Sequence, residues 1–305
     1  MPGQPGPTMS EWDDRQAVHH LLSAHLPDIH VTSVVPLGAG LDNISYEVND
    51  DLVVRISRDL DADERTGRAT RECRLLQVVA SASPLPVPQP LPAAAELGVL
   101  AYPKLRGRPL LSIPEASRAA LIPSVATVLG DLLRALHAIP ADRVAGLVDI
   151  DETPLTEWHR EAEEFYSTVA GGIPPGHRPA VDAFFRSAPP PEPRTSVFSH
   201  NDLGIEHVLV DPDNGEVTGI IDWSDAAITD PAYDFGLICR DLGPHALDLA
   251  LARYDAPGPD RTGLPDRAVF YARCSLFEDL SYGVDTGQNA YVSKSLEAMT
   301  WLFPQ

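Results

Sequence analysis

The chain has 305 residues, and 44 Asp and Glu against 23 Lys and Arg give it a formal net charge of −21. So acidic a protein lacks the basic face that a nucleic-acid backbone requires. A cationic small molecule is its natural electrostatic complement, although an acidic surface also serves solubility alone. Hydrophobic residues at 44% and charged residues at 22% fit a packed globular chain of about two domains, or one with two lobes, at roughly 150 residues each.

The opening Met1–Pro7 has neither the basic nor the apolar segment of a signal peptide. Trp12–Leu26 carries Val18, Leu21, Leu22 and Leu26 at helical spacing. Ile29–Pro36 reads as a strand, Leu37–Asn43 as a Gly-rich turn, Ile44–Val48 as a second strand, and Leu52–Ser57 as a third beyond the Asn49-Asp50-Asp51 turn. Asp61–Ala80 turns helical and charged, Ser83–Pro90 is a Pro-rich connector, and Leu97–Tyr102 is a further strand. A breaker cluster at Tyr102–Gly107 reads as a hinge. Beyond it Ala116–Ile139 and Leu155–Val169 are helical, and Ser196–Phe198 is an apolar run. A hairpin (Val208–Asp211 and Val217–Asp222) follows, and the chain from Asp230 is helical. The apolar run Ala119–Ile139 is broken by Pro123, Gly130, Asp131 and Arg134, so it reads as a core helix rather than a bilayer span. Cys73, Cys239 and Cys274 are odd in number and far apart, which supports neither a disulfide framework nor a structural zinc. The order predicts an α+β, bilobal protein: a small β-rich lobe over residues 1–103 and a larger, mainly helical lobe over 104–305, soluble and cytoplasmic.

The densest chemistry is His200-Asn201-Asp202 with His207, followed by Ile221-Asp222-Trp223-Ser224-Asp225. If Asp211 pairs with Thr218 across the hairpin, His207 falls opposite Asp222, and Asp202 enters the same end of the ribbon. Two carboxylates with few other donors suit a hard divalent cation such as Mg²⁺, and a carboxylate beside the metal can orient or deprotonate a hydroxyl. That is the layout of phosphoryl transfer. A zinc site on His200 and His207 is the rival, but seven residues across a loop is not a zinc spacing.

These motifs, with Asp230-Pro231-Ala232-Tyr233-Asp234, resemble the antibiotic phosphotransferase family, the aminoglycoside and macrolide kinases with a protein-kinase-like fold. The resemblance implies that Asp202 is the catalytic base and that Asp222 is the principal Mg²⁺ ligand. His207 stands where most members have Asn, either binding the ion or holding a metal-bound water or phosphate oxygen. Asp230 and Asp234 would brace the catalytic loop, and His137 in Leu133-Arg134-Ala135-Leu136-His137 would be structural. For the donor, ATP or GTP, the resemblance implies a phosphate-covering loop at Gly38, Gly40, Asp42 and Asn43. It also implies a basic residue, Arg55, paired to the helix residue Glu72, and a purine-binding hinge at Tyr102, Lys104 and Leu105.

On the acceptor side it implies Glu278, Asp279 and Tyr282, against the alternative of an exposed acidic helix face with Tyr282 in the core. Asp225 is either a substrate contact or an acid supporting the site from behind, and further acids from Asp151 to Glu164 would wall the pocket. The activity so implied is Mg²⁺-dependent transfer of the γ-phosphate to a hydroxyl of an aminoglycoside, by a monomer with no nucleic-acid or membrane partner. A macrolide 2'-phosphotransferase, whose pocket should be more apolar, is the near alternative. A catalytically weak kinase-like binding protein is the distant one, resting on Arg55 and His207.

Overall fold

The computed structural model describes residues 15–26, 28–39, 43–57, 61–254 and 262–305. It divides into two compact units, residues 1–81 with 86–105, and residues 82–85 with 106–305.

In the first unit, β1 (Val34–Ala39), β2 (Asn43–Val48), β3 (Leu52–Ser57) and β4 (Val99–Pro103) form an antiparallel sheet in that order. Asn49, Asp50 and Asp51 join β2 to β3, and the φ of 55° and 65° at Asn49 and Asp50 are left-handed values that suit Asn and Asp in a tight hairpin connection. The β-branched residues of β3 are buried on both faces of the sheet. Val54 and Ile56 pack with Val18 and Leu22 of helix α1 (Arg15–His25). Val53, Leu100 and Tyr102 pack with Ala69 and Cys73 of α2 (Ala62–Ala82). Each such fully buried aliphatic contributes roughly 1.5–3 kcal/mol against exposure.

The first strand departs from expectation. It starts at Val34 rather than Ile29 and runs through Leu37 and Gly38, with Gly38 opposite Ser45 and a register irregularity after Pro36. Pairing to β2 overrides the local Gly signal, and Pro36 is tolerated because β1 lies at the sheet edge. Gly40 and Asp42 lie outside the described residues.

In the second unit, helices α3 (Glu115–Leu136), α4 (Leu155–Val169), α5 (Arg178–Arg186), α6 (Ala232–Leu242), α7 (Pro244–Arg253), α8 (Leu264–Thr286) and α9 (Asn289–Leu302) surround two small sheets. One is β6 (Asp149–Ile150), β10 (Ala227–Thr229) and β7 (Val197–Ser199). The other is β5 (Arg108–Pro109), β8 (Val208–Val210) and β9 (Val217–Ile220). Among the described residues α3 is the one helix long and apolar enough to cross a membrane. Its Val125, Leu129, Leu132, Leu133 and Leu136 are buried in protein, as expected of a core helix. Its crossing with α7 is so close that a Cβ on Gly130 would stand 2.4 Å from the Ala250 carbonyl oxygen and 2.9 Å from Arg253 Cβ.

Every residue of α6 is buried, including Asp234, Arg240 and Asp241. A helix enclosed on all sides cannot carry charges without partners, and these partners build the floor of the site described next. Just before α6, Asp230 accepts two hydrogen bonds from the buried Arg267 of α8 at 2.7 and 3.1 Å, and one from the Ala232 N–H at 3.0 Å.

Candidate active site

The β7 strand delivers the chain into the loop His200–His207, and β8 and β9 form the hairpin behind it. The hairpin register differs from the expected one, by one residue at Val208 and by two beyond Leu209. Val208 pairs with Ile220 and Val210 with Val217, with an irregularity after Leu209. The Ile221 N–H therefore donates to the His207 carbonyl at 3.0 Å, so Ile221, not Asp222, is opposite His207. The cause is the turn. The Asp211 N–H bonds the Glu216 carbonyl at 2.9 Å, which closes a tighter loop than a register through Thr218 would.

Asp202 and His207 nevertheless meet: Nε2 of His207 lies 3.0 Å from Oδ2 of Asp202. Burial works against the charged imidazolium, but the Asp202 hydrogen bond and the charges of Asp202, Glu206 and Asp222 outweigh it and raise the His207 pKa to about 9. Burial likewise opposes the Asp202 carboxylate. The hydrogen bond and charge of His207, aided by His200 and Arg240, outweigh that opposition and bring the pKa down to about 2. At neutral pH the pair is carboxylate and imidazolium.

The loop is held from below. Oδ2 and Oδ1 of Asp234 accept the backbone N–H groups of His200 and Asn201 at 3.1 and 2.9 Å. Nε2 of His137 lies 3.3 Å from the same carboxylate, and Nδ1 of His137 lies 2.8 Å from the Tyr254 hydroxyl. Asp234 and His137 thus take the bracing and structural placements expected of them. Asn201 sits at φ 65°, a left-handed conformation that costs about 1–3 kcal/mol unless its surroundings impose it; the Asp234 bonds to its own N–H and to that of His200 do so. Oδ1 of Asn201 is buried without a hydrogen-bond partner, one residue from Asp202.

His200 is wholly buried, and burial lowers its pKa. Its neutral ring bonds the Ile221 carbonyl through Nε2 at 3.1 Å, and Nδ1 accepts the Asp202 N–H at 3.2 Å. Both nitrogens are thus occupied in tying the two halves of the motif together. Among the described residues no group of three or more His, Cys, Asp or Glu side chains is placed to hold a metal ion.

Asp222 also has a left-handed backbone, at φ 62°, and its Oδ1 accepts the Ser224 hydroxyl at 2.9 Å. An anionic oxygen donor of this kind suits Mg²⁺, which takes one or two carboxylates together with water and phosphate oxygens. Nε2 of His207, the other expected metal ligand, faces Oδ2 of Asp202 at 3.0 Å, so here the ring is placed as the partner of Asp202. Asp225 is exposed on the adjacent turn.

In the first unit, the buried Arg55 on β3 and Glu72 on α2 meet at 3.0 Å. Tyr102 is buried on β4, opposite Val53. Lys104 forms an ion pair with Glu47, and its N–H donates to the Asp51 carbonyl at 2.7 Å; Leu105 follows at the end of the unit. Gly38 is exposed, and Asn43 accepts the Ser57 hydroxyl at 3.2 Å.

A cavity of about 490 Å³ opens between α4 and α8 in the second unit, lined by Trp158, Glu161, Glu164, Phe165 and Thr168 on one side and Cys274 and Glu278 on the other. The α4 residues recur every three or four positions and so share one face. Glu278 reaches into the cavity. Glu278 is exposed; partial desolvation raises its pKa, Arg240 pulls it down, and the negative charges of Asp202, Asp279 and Glu161 push it up again. Arg160 pairs with Glu157, Glu161 and Glu164.

Asp279 and Tyr282 are not among the residues that line this cavity. Asp279 is turned into the protein, where it accepts the Ser295 hydroxyl at 3.0 Å and faces Lys294 at 3.3 Å, because one step along a helix from Glu278 rotates the side chain by about 100°. Tyr282 accepts a hydrogen bond from Gln288 at 2.8 Å and packs edge-on to Tyr291. Sequence reasoning missed Arg240, Asp241 and Lys294. An Arg-Asp dipeptide inside the apolar stretch Phe235–Leu242 was the available signal, since charges there must be paired.

Comparison with known proteins decides the lineage. A model of the phosphotransferase enzyme family matches residues 33–265. The chain belongs to that family. Among its curated relatives, an uncharacterized protein of Bacillus subtilis (strain 168), YcbJ, is 41% identical over 108 residues, covering 35% of each chain. Viomycin phosphotransferase of Streptomyces vinaceus is 28% identical over 176 residues, covering 54% of this chain and 59% of that one. The chain thus spans between about a third and three-fifths of the length of these curated relatives. Among solved structures, the GDP complex of wild-type aminoglycoside 2'-phosphotransferase-IIIa superposes with a TM-score of 0.66 at 21% identity, covering 94% of this chain and 97% of that one. The family's α+β, kinase-like fold, with an N-terminal antiparallel sheet and a larger helical part, is therefore the fold of this chain.

Proposed function

We propose that the protein transfers the γ-phosphate of ATP or GTP to a hydroxyl of a cationic aminoglycoside-type acceptor. The observation that carries the reading is the Asp202–His207 pair at 3.0 Å, standing in the electrostatic reach of the acidic, aromatic-walled cavity at Glu278. Asp202 receives the acceptor hydroxyl, orients its oxygen toward phosphorus and takes its proton as the new O–P bond forms. The bond between the γ-phosphorus and the bridging oxygen breaks, and the nucleoside diphosphate leaves with that oxygen. Because such transition states are loose, a carboxylate with a pKa near 2 works through position more than through basicity. The His207 imidazolium keeps Asp202 ionised and fixed in rotamer. Asp222 would hold Mg²⁺, which when bound offsets the charge of the phosphates.

In the N-terminal unit, Arg55 held by Glu72 would meet donor phosphate. Gly38 and Asn43 flank the covering loop, and Tyr102, Lys104 and Leu105 supply backbone for the purine. On the acceptor side, Glu161, Glu164 and Glu278 would take ammonium groups, while Trp158 and Phe165 offer flat surfaces to a sugar ring. Glu161, Glu164 and Glu278 in the cavity lining support a cationic acceptor, with Arg160 already paired to the first two. Asp225, exposed on the turn after Asp222, remains a candidate acceptor contact.

The test is incubation with Mg²⁺, ATP or GTP and a panel of aminoglycosides and macrolides, with product mass read by mass spectrometry. The reading expects one added phosphate on an aminoglycoside. Phosphate on a macrolide alone would move the acceptor class, and none on any compound would overturn the reading.

A further inference from the structure

Beneath the loop that carries Asp202 lies a second set of charges, to which the reaction above assigns no role. Glu206 of the loop, Arg240 and Asp241 of α6, Asp279 of α8 and Lys294 of α9 converge in the interior of the second unit. Lys294 is only 4% exposed, and its ammonium donates to both Glu206 oxygens at 3.0 and 2.8 Å. The same nitrogen lies 3.5 Å from Oδ2 of Asp241 and 3.3 Å from Oδ2 of Asp279. Arg240 donates to both oxygens of Asp241 at 2.7 and 3.0 Å. Asp241 in turn accepts the Ile205 N–H at 3.1 Å, while the Ile205 carbonyl accepts the Leu111 N–H at 3.1 Å.

The backbone of Ile205 is thus clamped on both sides, and Glu206 is fastened at the residue before His207. Gly204 completes the clamp: a Cβ there would stand 2.6 Å from the Glu206 carboxyl and would push that carboxylate from its place beside Lys294.

A buried ion cluster of this kind is poor evidence for stability, because desolvation offsets most of the attraction. Three carboxylates against two cations make that balance worse still. The geometry has a different consequence. Each of its bonds to the loop falls on Ile205 or Glu206, directly before the residue whose ring fixes Asp202.

We propose that Lys294 is a positioning residue: its buried ammonium, bridging Glu206 and Asp241, fixes the Gly204–His207 backbone so that His207 presents Asp202 in its working orientation. The last helix of the chain thereby reaches the catalytic carboxylate through two intermediaries without touching substrate. This proposal rests on the phosphotransferase reading for its kinetic readout, but not for its structural one.

The test uses Lys294→Met and Glu206→Gln in the full-length protein, read by amide hydrogen exchange over residues 203–207, by thermal melting, and by kcat and acceptor KM. Lys294→Met leaves three buried carboxylates facing one guanidinium and is expected to lower the melting temperature. Glu206→Gln leaves two carboxylates facing two cations with the shape conserved, and is expected to fold with the wild-type melting temperature. In Glu206→Gln, exchange at the Ile205 amide should rise about tenfold. In the same variant kcat should fall about tenfold while acceptor KM stays within about twofold, since misplacement of a reacting group acts on the chemical step. Lys294→Arg should recover part of the kcat lost in Lys294→Met. Unchanged exchange over 203–207 in Glu206→Gln would overturn the proposal, as would a loss of melting temperature with kcat intact. Should the wild-type protein transfer no phosphate, the functional reading fails, and the exchange measurement still decides the role of Lys294.

Discussion

Replacing Asp234 by Asn conserves shape and removes one acceptor oxygen and one charge. The wild-type carboxylate is fully buried and accepts two backbone N–H groups, from His200 at 3.1 Å and Asn201 at 2.9 Å, with His137 at 3.3 Å. An amide offers a single oxygen, so one N–H must face the new NH₂ group. The lost bond to a charged acceptor is worth about 1.5–3 kcal/mol, and the stranded buried donor costs a further 1–3 kcal/mol, roughly. The left-handed Asn201, at φ 65°, also loses one of the restraints that hold it there. Relaxation of the loop recovers part of this, leaving an expected loss of about 3 kcal/mol. Urea titration of wild type and Asp234→Asn, followed by far-UV circular dichroism, measures the loss as a lower midpoint at constant slope. A difference below about 0.5 kcal/mol, the ordinary range for a surface change, would refute the idea that Asp234 organises the loop.

The Asp202–His207 pair predicts a pH window for stability. The raised His207 value, about 9, means a contribution fully present below the unfolded imidazole value of about 6.5 and lost as pH rises through about 9. The lowered Asp202 value, about 2, means a contribution present above the unfolded carboxyl value of about 3.9 and lost as pH falls through about 2. Because the Asp202 side chain is 38% exposed, solvent screening holds the effect to about 1 kcal/mol. The stability of wild type minus His207→Gln should therefore be flat from about pH 4 to 6.5 and shrink toward pH 9; a difference constant to pH 10 would contradict the pair. Gly130→Ala should destabilise by about 1–3 kcal/mol despite alanine's better helix propensity, because its methyl meets α7 backbone at 2.4 Å. A melting temperature at or above wild type would contradict that crossing.

Much of the architecture was readable in the chain because local and tertiary preferences agree. Leu52–Ser57 and Leu155–Val169 form where their patterns predict, the first from β-branched residues after a turn, the second from amphipathic spacing between prolines and glycines. Legibility fails where a distant partner decides. The first strand continues through Leu37 and Gly38 because β2 supplies hydrogen bonds there, and no local pattern announces that. The hairpin register slips, by one residue at Val208 and by two beyond Leu209, because the turn closes at Glu216, which moves Asp222 off His207.

The candidate site divides the same way. His200, Asp202 and His207 lie in one short motif and come together. By contrast, the roles of His207 and Asp279 depend on which carboxylate or ammonium faces them. Lys294 lies 87 positions beyond His207 in the sequence, and only folding brings it to Glu206.

The central claim is that Asp202 presents an acceptor hydroxyl to a donated phosphate. Its most direct measurement is a single-turnover reaction with γ-labelled nucleotide, Mg²⁺ and an aminoglycoside, run beside Asp202→Asn of matched circular dichroism. The account predicts stoichiometric transfer of label to the aminoglycoside by the wild type and a loss of rate of at least about a hundredfold in the variant. Label reaching the acceptor equally fast in both proteins would contradict it.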